Sequence, residues 1–174
     1  LNAPVQADRA YQSLPVAKAI KPINEFEPDD PPAQILEFLY LGSETPAVNA
    51  DMLKHFGITH VLNMTKEVHN YFEDTKTDFR LIYLKAYLSD MPFEDMVGFI
   101  PRGIDFIEAV RRTIGARILV HCSAGVSRSA TMVVAYLIYR LGIRYREAVE
   151  YVRARRPVID TSTFQNAIQS FEVR

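Results

Sequence analysis

Several features are scarce in this chain, and each scarcity excludes a class of protein. Among the 174 residues there is one cysteine, so no disulfide can form within the chain. The longest apolar run, residues 130–139, is too short to span a bilayer, which predicts no membrane insertion. Twenty basic residues stand against twenty-one acidic ones, so no excess of positive charge attracts nucleic acid. His55 and His60 lack the spacing of a metal site.

The remaining composition is typical of a globular protein with one core. Hydrophobic residues make up 48% and charged residues 24% of the chain. The N-terminus lacks the basic-then-apolar pattern of a secretory signal, and a reactive thiol survives best in a reducing compartment. We therefore expect an intracellular protein, located in the cytoplasm, with the nucleus as an additional possibility.

The single cysteine lies between a strand pattern and a helix pattern. Cys122 follows the apolar run 118–120, and an apolar helical pattern extends from Arg128 to Leu141. A strand, a short loop and a helix in this order direct several backbone N–H groups into one concavity, with the positive end of the helix dipole behind them. Such a loop binds a tetrahedral anion such as phosphate, and the same field favours the thiolate form of Cys122.

The residue types in and beside this loop suit phosphate chemistry. The guanidinium of Arg128 can hold two phosphoryl oxygens at once, and Gly125 suits a left-handed apex. His121 is placed to orient the loop through its backbone, and Ser129 can donate a hydrogen bond to the sulfur of Cys122 as it leaves. The predicted phosphate-binding residues are Ser123, Ala124, Gly125, Val126, Ser127 and Arg128.

A lone cysteine is more often an inert core residue, and this is the competing interpretation of Cys122. The complete pattern argues against it. His-Cys, then two residues, Gly, two residues, Arg and Ser occupy residues 121–129 between the strand and helix patterns. This arrangement resembles the motif of the cysteine-based protein tyrosine phosphatase superfamily.

The order of the other patterns predicts an α/β fold. Strands are expected at residues 35–41, 58–64, 79–87 and 118–120. Helices are expected from Thr45 or Asn49 to 56 and at residues 94–113, 128–141, 145–156 and 161–172. This order predicts a central, mostly parallel sheet of four to five strands with helices on both faces. A domain over residues 35–174 follows a proline-rich N-terminal extension, residues 1–34, which is predicted to be partly disordered or to contain a short helix at residues 11–20.

Hydrolysis of a phosphate ester by Cys122 needs an acid that protonates the leaving oxygen. Asp90 lies between the third strand pattern and the following helix pattern, where a loop can carry such an acid. The same carboxylate can then take a proton from the attacking water. Glu94 and Asp95 are competing acids, of which Asp95 is the better placed. The alternative role for Asp90 is only to cap the following helix.

Residues 35–172 resemble the catalytic domain of the dual-specificity phosphatases. The resemblance rests, besides the loop, on residues 40–42, 57–63, 106–107 and 155–157. Residues 62–67 and 125–130 are also similar to slingshot-type cofilin phosphatases and to MAP kinase phosphatases. The family implies a protein tyrosine phosphatase-like fold, no metal ion or cofactor, and hydrolysis of phosphotyrosine and of phosphoserine or phosphothreonine through a phosphocysteine. The expected partner is a phosphoprotein, such as a MAP kinase or a cofilin-like protein.

The chain departs from the family pattern at residues 160–167. In this segment and the residue after it, only Phe164 and Ile168 match the pattern. The departure puts the hydrogen bonding beneath the loop in question. It favours a second hypothesis, in which the domain binds phosphoproteins with little turnover. A third hypothesis is a phosphatase that acts on carbohydrates. It predicts a carbohydrate-binding segment, which this sequence does not show.

The charges around the motif bear on the substrate. Loop positions 123, 124, 126 and 127 carry no charge, whereas superfamily members that act on phosphoinositides tend to place lysine in this loop, so the resemblance implies a phosphoprotein substrate. A cluster of arginines near the C-terminal end is predicted to be a solvated helix face, with a docking site as the alternative: Arg140, Arg144, Arg146, Arg153, Arg155 and Arg156.

Overall fold

A five-stranded sheet lies at the centre of the computed structural model, which describes residues 29–73 and 79–172. The strands are β1 (Ala33–Gln34), β2 (Leu39–Gly42), β3 (His60–Asn63), β4 (Ile82–Lys85) and β5 (Ile118–His121). They lie in the order β1-β2-β5-β3-β4, with β1 antiparallel to β2 and all other neighbours parallel. The prediction of a mostly parallel sheet of four to five strands is confirmed.

The central strand, β5, determines where the site forms. All its residues are buried, as expected for a strand covered on both faces. Its last residue, His121, pairs with Gly42 at the end of β2 and with Asn63 at the end of β3. The carboxyl ends of three parallel strands therefore meet at one edge, which is where open α/β sheets bind ligands.

Helices cover both faces of the sheet, as the sequence predicts. They are α1 (Glu44–Ala47), α2 (Ala50–His55), α3 (Met96–Arg111), α4 (Arg128–Leu141), α5 (Tyr145–Arg153) and α6 (Gln165–Glu172). Leu62 and Val120 belong to a core shared with α3 to α6, whereas Val61 and Leu119 belong to a core shared with α1 and α2. Successive strand residues thus separate two apolar layers, because side chains alternate between the faces of a strand.

Helix α4 is buried on nearly all sides, which its apolar sequence predicts. Residues 128–138 are buried, and Gly142 ends the helix in a left-handed conformation with φ +64°. The helix contacts β2 and β5 as well as α3, α5 and α6, and this packing fixes the position of its N-terminus. In residues 29–73 and 79–172, no helix has the length and apolar character needed to cross a membrane.

The predicted strand boundary near β2 is wrong. The strand expected at residues 35–41 is interrupted at residues 35–38, where the amide groups of Ile35 and Leu36 both donate to the carbonyl of Leu39. Of the two helix starts expected, Asn49 is the one observed, since it caps α2, and the additional short helix α1 precedes it. Ser43 caps α1 and Asn49 caps α2, so two capping side chains produce two helices.

Other elements are shorter than their sequence patterns. The strands expected at residues 58–64 and 79–87 reduce to β3 and β4, because the ladder extends only where both strands pair. A 3-10 turn, Ser162–Phe164, precedes α6 in the segment expected to be one helix. At the N-terminal side, β1 joins the sheet before the predicted domain start at residue 35. The helix considered at residues 11–20 lies outside the described residues.

Candidate active site

The residues of the motif form a loop between β5 and α4 at the carboxyl edge of the sheet. Cys122 directly follows β5 and is 2% exposed, and Arg128 is the first residue of α4. Ser127, at the N-cap of α4, makes no side-chain capping bond. The first amide groups of the buried helix therefore remain available to a ligand.

The first two carbonyl groups of the loop are held from outside it. Nδ1 of His121 donates to the carbonyl of Cys122 at 3.1 Å. The amide of Glu44, in the first turn of α1, donates to the carbonyl of Ser123 at 3.0 Å. The predicted orienting role of His121 is thus matched by a bond to the loop backbone.

The next three carbonyl groups are also held from outside the loop. Arg156 donates to the carbonyls of Ala124 and Gly125 at 3.1 and 2.8 Å, and the amide of Asp160 donates to that of Val126 at 2.8 Å. The N–H and C=O groups of a trans peptide point in opposite directions. Carbonyls directed outward therefore turn the loop amides inward, and this arrangement forms an anion-binding nest.

Gly125 occupies a place in this loop that no other residue fits. Its φ is +66°, in the left-handed region expected from the sequence. A Cβ atom there would lie 2.6 Å from the carbonyl carbon of Gly42 and 2.7 Å from Nη2 of Arg156. The close approach of Gly42 and Arg156 behind the loop therefore requires glycine.

The sulfur of Cys122 has one hydroxyl neighbour. Its Sγ lies 3.1 Å from Oγ of Ser129, and both residues are buried. A hydroxyl that donates to sulfur stabilises the thiolate over the thiol. This distance places Ser129 where the sequence predicts it.

His121 is neutral at physiological pH. Burial lowers the pKa of His121 to about 4, the bond to the carbonyl of Cys122 opposes this shift, and the charges of Lys85 and Arg128 add to it. The neutral ring donates through Nδ1, so its role here is to hold the backbone rather than to carry a charge.

The two Nη atoms of Arg128 are bonded to protein groups, whereas its Nε atom is not. Its two Nη atoms donate to the carboxylate of Glu67 at 2.9 and 2.6 Å, and Nη1 also donates to the carbonyl of Leu88 at 2.9 Å. The Nε atom is buried and has no hydrogen-bond partner among the described residues. The edge that contains Nε is therefore available to an oxyanion.

Glu67 is a residue of the site that sequence reasoning missed. Besides pairing with Arg128, it accepts a hydrogen bond from Oγ of Ser123 at 2.7 Å. The hydrogen bond from Arg128 lowers the pKa of Glu67 to about 2, against the effect of burial and with help from Ser123. A charged carboxylate thus connects Arg128 to the loop over residues 122–127, the candidate phosphate loop.

A buried network holds the segment that carries Glu67. The side-chain amide of Asn63, a fully buried residue, donates through Nδ2 to the carbonyl of Val68 at 2.8 Å. The side-chain oxygen of Asn63 accepts from the amide and the hydroxyl of Thr65 at 2.9 and 2.7 Å, and that hydroxyl accepts from the amide of Val68 at 2.9 Å. Glu67 is therefore presented by a fixed backbone.

Asp90 lies on the exposed segment between β4 and α3, close to Arg128. Burial lowers the pKa of Arg128, but the hydrogen bond to Glu67 and the charges of Cys122, Glu67 and Asp90 outweigh it and raise the pKa overall. The carboxylate of Asp90 is thus near enough to Arg128 to stabilise the charged form of its guanidinium. The structure brings the candidate acid, nucleophile and arginine to one edge of the sheet.

The two competing acids have other contacts. Asp95 is the N-cap of α3, and its carboxylate accepts from the amide of Gly98 at 2.9 Å. Glu94 accepts a hydrogen bond from the hydroxyl of Ser89. The helix-capping role considered for Asp90 belongs to Asp95, which leaves the Asp90 carboxylate available for chemistry.

The segment that departs from the family pattern still supports the loop. Besides the bond from the Asp160 amide, the hydroxyl of Thr161 lies 2.7 Å from that of Tyr145. Phe164 and Ile168 are buried in the main core. The hydrogen bonding beneath the loop, which the sequence put in question, is therefore present.

One prediction about the arginine cluster is wrong. Arg156 is 7% exposed and lies behind the phosphate loop rather than on a solvated helix face. Its neighbour Arg155 is half-buried and stacks on the ring of Tyr151, 3.6 Å from the centroid. Within the described part of the chain, no group of three or more His, Cys, Asp or Glu side chains is placed to hold a metal ion.

Comparison with known sequences places this geometry in a family. The model of the dual specificity phosphatase catalytic domain matches residues 39–174. Human dual specificity protein phosphatase 4 is 39% identical over 142 residues, which is 81% of this chain and 34% of that protein. Human dual specificity protein phosphatase 6 is 35% identical over 152 residues, which is 87% of this chain and 39% of that protein. The chain thus spans little more than a third of the length of these relatives.

Solved structures share the fold. Human tyrosine phosphatase-like serine/threonine/tyrosine-interacting protein matches with a TM-score of 0.73 and 32% identity over 82% of this chain and 95% of that chain. Human DUSP28 matches with a TM-score of 0.73 and 26% identity over 82% of this chain and 93% of that chain. The predicted fold and family are thereby confirmed. The chain belongs to the dual specificity phosphatase family, of which it contains the catalytic domain.

Proposed function

We propose that this domain hydrolyses phosphotyrosine and phosphoserine or phosphothreonine in proteins through a phosphocysteine intermediate. The observation that carries the proposal is the loop over residues 122–127. Its carbonyls from Cys122 to Val126 all bond outward, so its amides turn inward at a buried cysteine, and Arg128 beside it keeps a buried Nε without a partner among the described residues.

In the first step, the thiolate of Cys122 attacks the phosphorus atom of the bound ester. A sulfur–phosphorus bond forms and the bond to the substrate oxygen breaks. The loop amides and the Nε edge of Arg128 hold the remaining phosphoryl oxygens, whose charge they stabilise. Asp90 gives its proton to the leaving oxygen, so the alcohol or phenol departs neutral.

In the second step, water hydrolyses the phosphocysteine. The carboxylate of Asp90 takes a proton from the attacking water, and the sulfur–phosphorus bond breaks as inorganic phosphate forms. Ser129 donates a hydrogen bond to the departing sulfur over the 3.1 Å between Oγ and Sγ. The cycle restores the thiolate and protonated Asp90, and water is the only co-reactant.

Glu67 acts in both steps as a positioning residue. It holds the two Nη atoms of Arg128, which fixes the orientation of the guanidinium, while Nε has no partner among the described residues. A planar guanidinium that is already oriented loses less entropy when it binds a phosphoryl group.

The proposed substrates are phosphoproteins. Positions 123, 124, 126 and 127 of the loop are uncharged, so the site offers no extra cations for a polyphosphorylated headgroup. The relatives named as dual specificity protein phosphatases support the same class. We keep a MAP kinase or a cofilin-like phosphoprotein as the proposed partner, and cytoplasmic location as a prediction.

A second candidate function is phosphoprotein binding with little turnover. It is favoured by the likeness to the protein described as tyrosine phosphatase-like and serine/threonine/tyrosine-interacting. The structure weakens the sequence argument for this candidate, since Asp160 still bonds the loop at Val126. Turnover measurements separate the two functions.

The test compares wild type with Cys122→Ser on phosphotyrosine and phosphothreonine peptides. We expect the variant to lose at least about a thousandfold in kcat, since it lacks the nucleophile, and to bind inorganic phosphate with an affinity within a few fold of wild type. Calorimetric phosphate binding checks that the loop is intact. A wild type that binds phosphopeptides without hydrolysing them establishes the second candidate instead.

A further inference from the structure

A buried arginine holds the phosphate loop from behind. Nε of Arg156 donates to the carbonyl of Gly125 at 2.8 Å and Nη2 to that of Ala124 at 3.1 Å. Arg156 is 7% exposed, so its charge is largely removed from water. A buried charge without a counter-ion is strongly unfavourable, so the position of this guanidinium depends on its partner.

Asp30, from the segment before β1, supplies that partner. Its Oδ1 accepts from Nη1 of Arg156 at 3.0 Å and its Oδ2 from Nη2 at 3.4 Å. The same carboxylate accepts a hydrogen bond from the hydroxyl of Ser43, the residue that caps α1. The first turn of α1 in turn holds the loop through the amide of Glu44 and the carbonyl of Ser123. Asp30 therefore contacts one support of the loop, Arg156, and also Ser43, the residue next to a second support, Glu44.

Both the charge and the backbone of Asp30 fit this contact. Burial raises the pKa of Asp30, but the hydrogen bonds from Arg156 and Ser43 and the charge of Arg156 outweigh it, so the pKa lies below its ordinary value. The residue has φ +51°, a left-handed conformation that aspartate tolerates better than most residues. The segment turns at the point where its carboxylate meets Arg156.

We propose that Asp30 is a positioning residue for the phosphate-binding loop, and that the segment before β1 is therefore part of the catalytic unit. By pairing with Arg156, it keeps that guanidinium on the carbonyls of Ala124 and Gly125, which keeps the loop amides turned toward phosphate. The inference rests on the proposed function of the loop. Asp30 lies outside residues 39–174, so the matched region does not itself contain this support.

The charge of Asp30 can be removed with little change in shape. The Asp30→Asn variant is compared with Asp29→Asn, which alters an exposed neighbour of the same type, and with Asp30→Glu, which keeps the charge. Affinity for inorganic phosphate is measured in the Cys122→Ser background, and kcat and KM are measured with Cys122 present. We expect Asp30→Asn to weaken phosphate binding and to lower kcat/KM, each by about fivefold to tenfold. Asp29→Asn remains at the wild-type values, and Asp30→Glu recovers part of the loss.

A double-mutant cycle tests whether Asp30 acts through Arg156. If it does, Asp30→Asn has no further effect on phosphate affinity once Arg156→Met is present, whereas independent effects add. Equal effects of Asp30→Asn in both backgrounds, or wild-type phosphate affinity in Asp30→Asn, overturn the inference. Melting temperatures identify any variant whose loss of affinity reflects unfolding.

Phosphate affinity also separates this inference from the proposed function. A wild type that binds phosphate without turnover contradicts the proposed hydrolysis, and the comparison of Asp30→Asn with Asp29→Asn still decides the role of Asp30. A wild type that binds no phosphate overturns both.

Discussion

The phosphate loop and the segment that carries Asp90 lie on two sides of Arg128, and they are held very differently. The carbonyls of residues 122–126 all accept hydrogen bonds from outside the loop. The segment over residues 86–95 meets the arginine through the carbonyl of Leu88. Three large apolar side chains of this segment are exposed: Tyr87, Met91 and Phe93.

This difference corresponds to two demands of the proposed reaction. Binding and charge stabilisation need donors that are fixed before the substrate arrives, because reorganisation would reduce their contribution. Proton transfer needs an acid that can reach leaving groups on different side chains, and a segment with few buried contacts is easier to displace. We therefore expect loop changes to alter phosphate affinity and changes at Asp90 to alter turnover.

The largest expected effect breaks the acid side of the comparison. Asp90→Asn should lower kcat by about a hundredfold to ten-thousandfold, because the leaving oxygen loses its proton donor. The loss should be greater for a phosphothreonine peptide than for p-nitrophenyl phosphate, whose leaving group needs less protonation. Steady-state kinetics measure the loss in kcat. The affinity for inorganic phosphate, measured separately, should stay near that of wild type.

Asp95→Asn is the matched control, because asparagine caps a helix about as well as aspartate. It should retain most of the activity. A larger loss in Asp95→Asn than in Asp90→Asn assigns the acid to Asp95 instead.

The next effect breaks the loop side of the comparison. Gly125→Ala adds a Cβ that would lie 2.6 Å from the backbone of Gly42, at a residue with positive φ. The combined overpacking and left-handed cost should reduce the free energy of unfolding by about 2–4 kcal/mol, and phosphate affinity should fall with it. Chemical denaturation and calorimetry measure the two losses.

Gly142→Ala separates the backbone cost from the overpacking. Gly142 has φ +64°, but a Cβ there meets no atom within 4 Å. In Gly142→Ala the free energy of unfolding should fall by only about 1 kcal/mol, and the phosphate affinity should not change. Equal losses in the two variants contradict the account of the close packing behind the loop.

The smallest expected effect concerns the ion pair between Glu67 and Arg128. The pKa of Glu67 is about 2 in the folded protein, below its ordinary value of 4.5, so its stabilising contribution is complete above the ordinary value and is lost as the pH falls toward 2. The carboxylate is half-exposed, so the effect is small. Glu67→Gln should melt slightly below wild type at neutral pH, and the difference should shrink in acid. A difference that grows as the pH falls contradicts the pairing.

The parts of the site that are close together in sequence were predictable. Residues 121–129 contain the proposed nucleophile Cys122, the arginine, the apex glycine and the hydroxyl, and their order between a strand and a helix fixes their geometry. The parallel sheet followed from the alternation of patterns, because both faces of its strands are apolar. Local chemistry and local periodicity were sufficient here.

The supports of the loop were not predictable, because they connect distant residues. Glu67 and Arg128 are 61 residues apart, and Asp30 and Arg156 are 126 residues apart. Residues 155–157 contribute to the family resemblance, but the local pattern gives Arg156 no role different from that of the arginines around it. The division of the helix after β2 was missed for a local reason, since Ser43 and Asn49 each cap a helix.

The covalent intermediate tests the central claim most directly. In Asp90→Asn, breakdown of the phosphocysteine should be slow, because the base that activates water is missing. The variant is mixed rapidly with p-nitrophenyl phosphate, quenched in acid and analysed by peptide mass spectrometry. We expect one phosphoryl group on Cys122, and none in the double variant that also carries Cys122→Ser. Turnover by an enzyme that carries no phosphoryl group on Cys122, or carries it on another residue, would contradict the account.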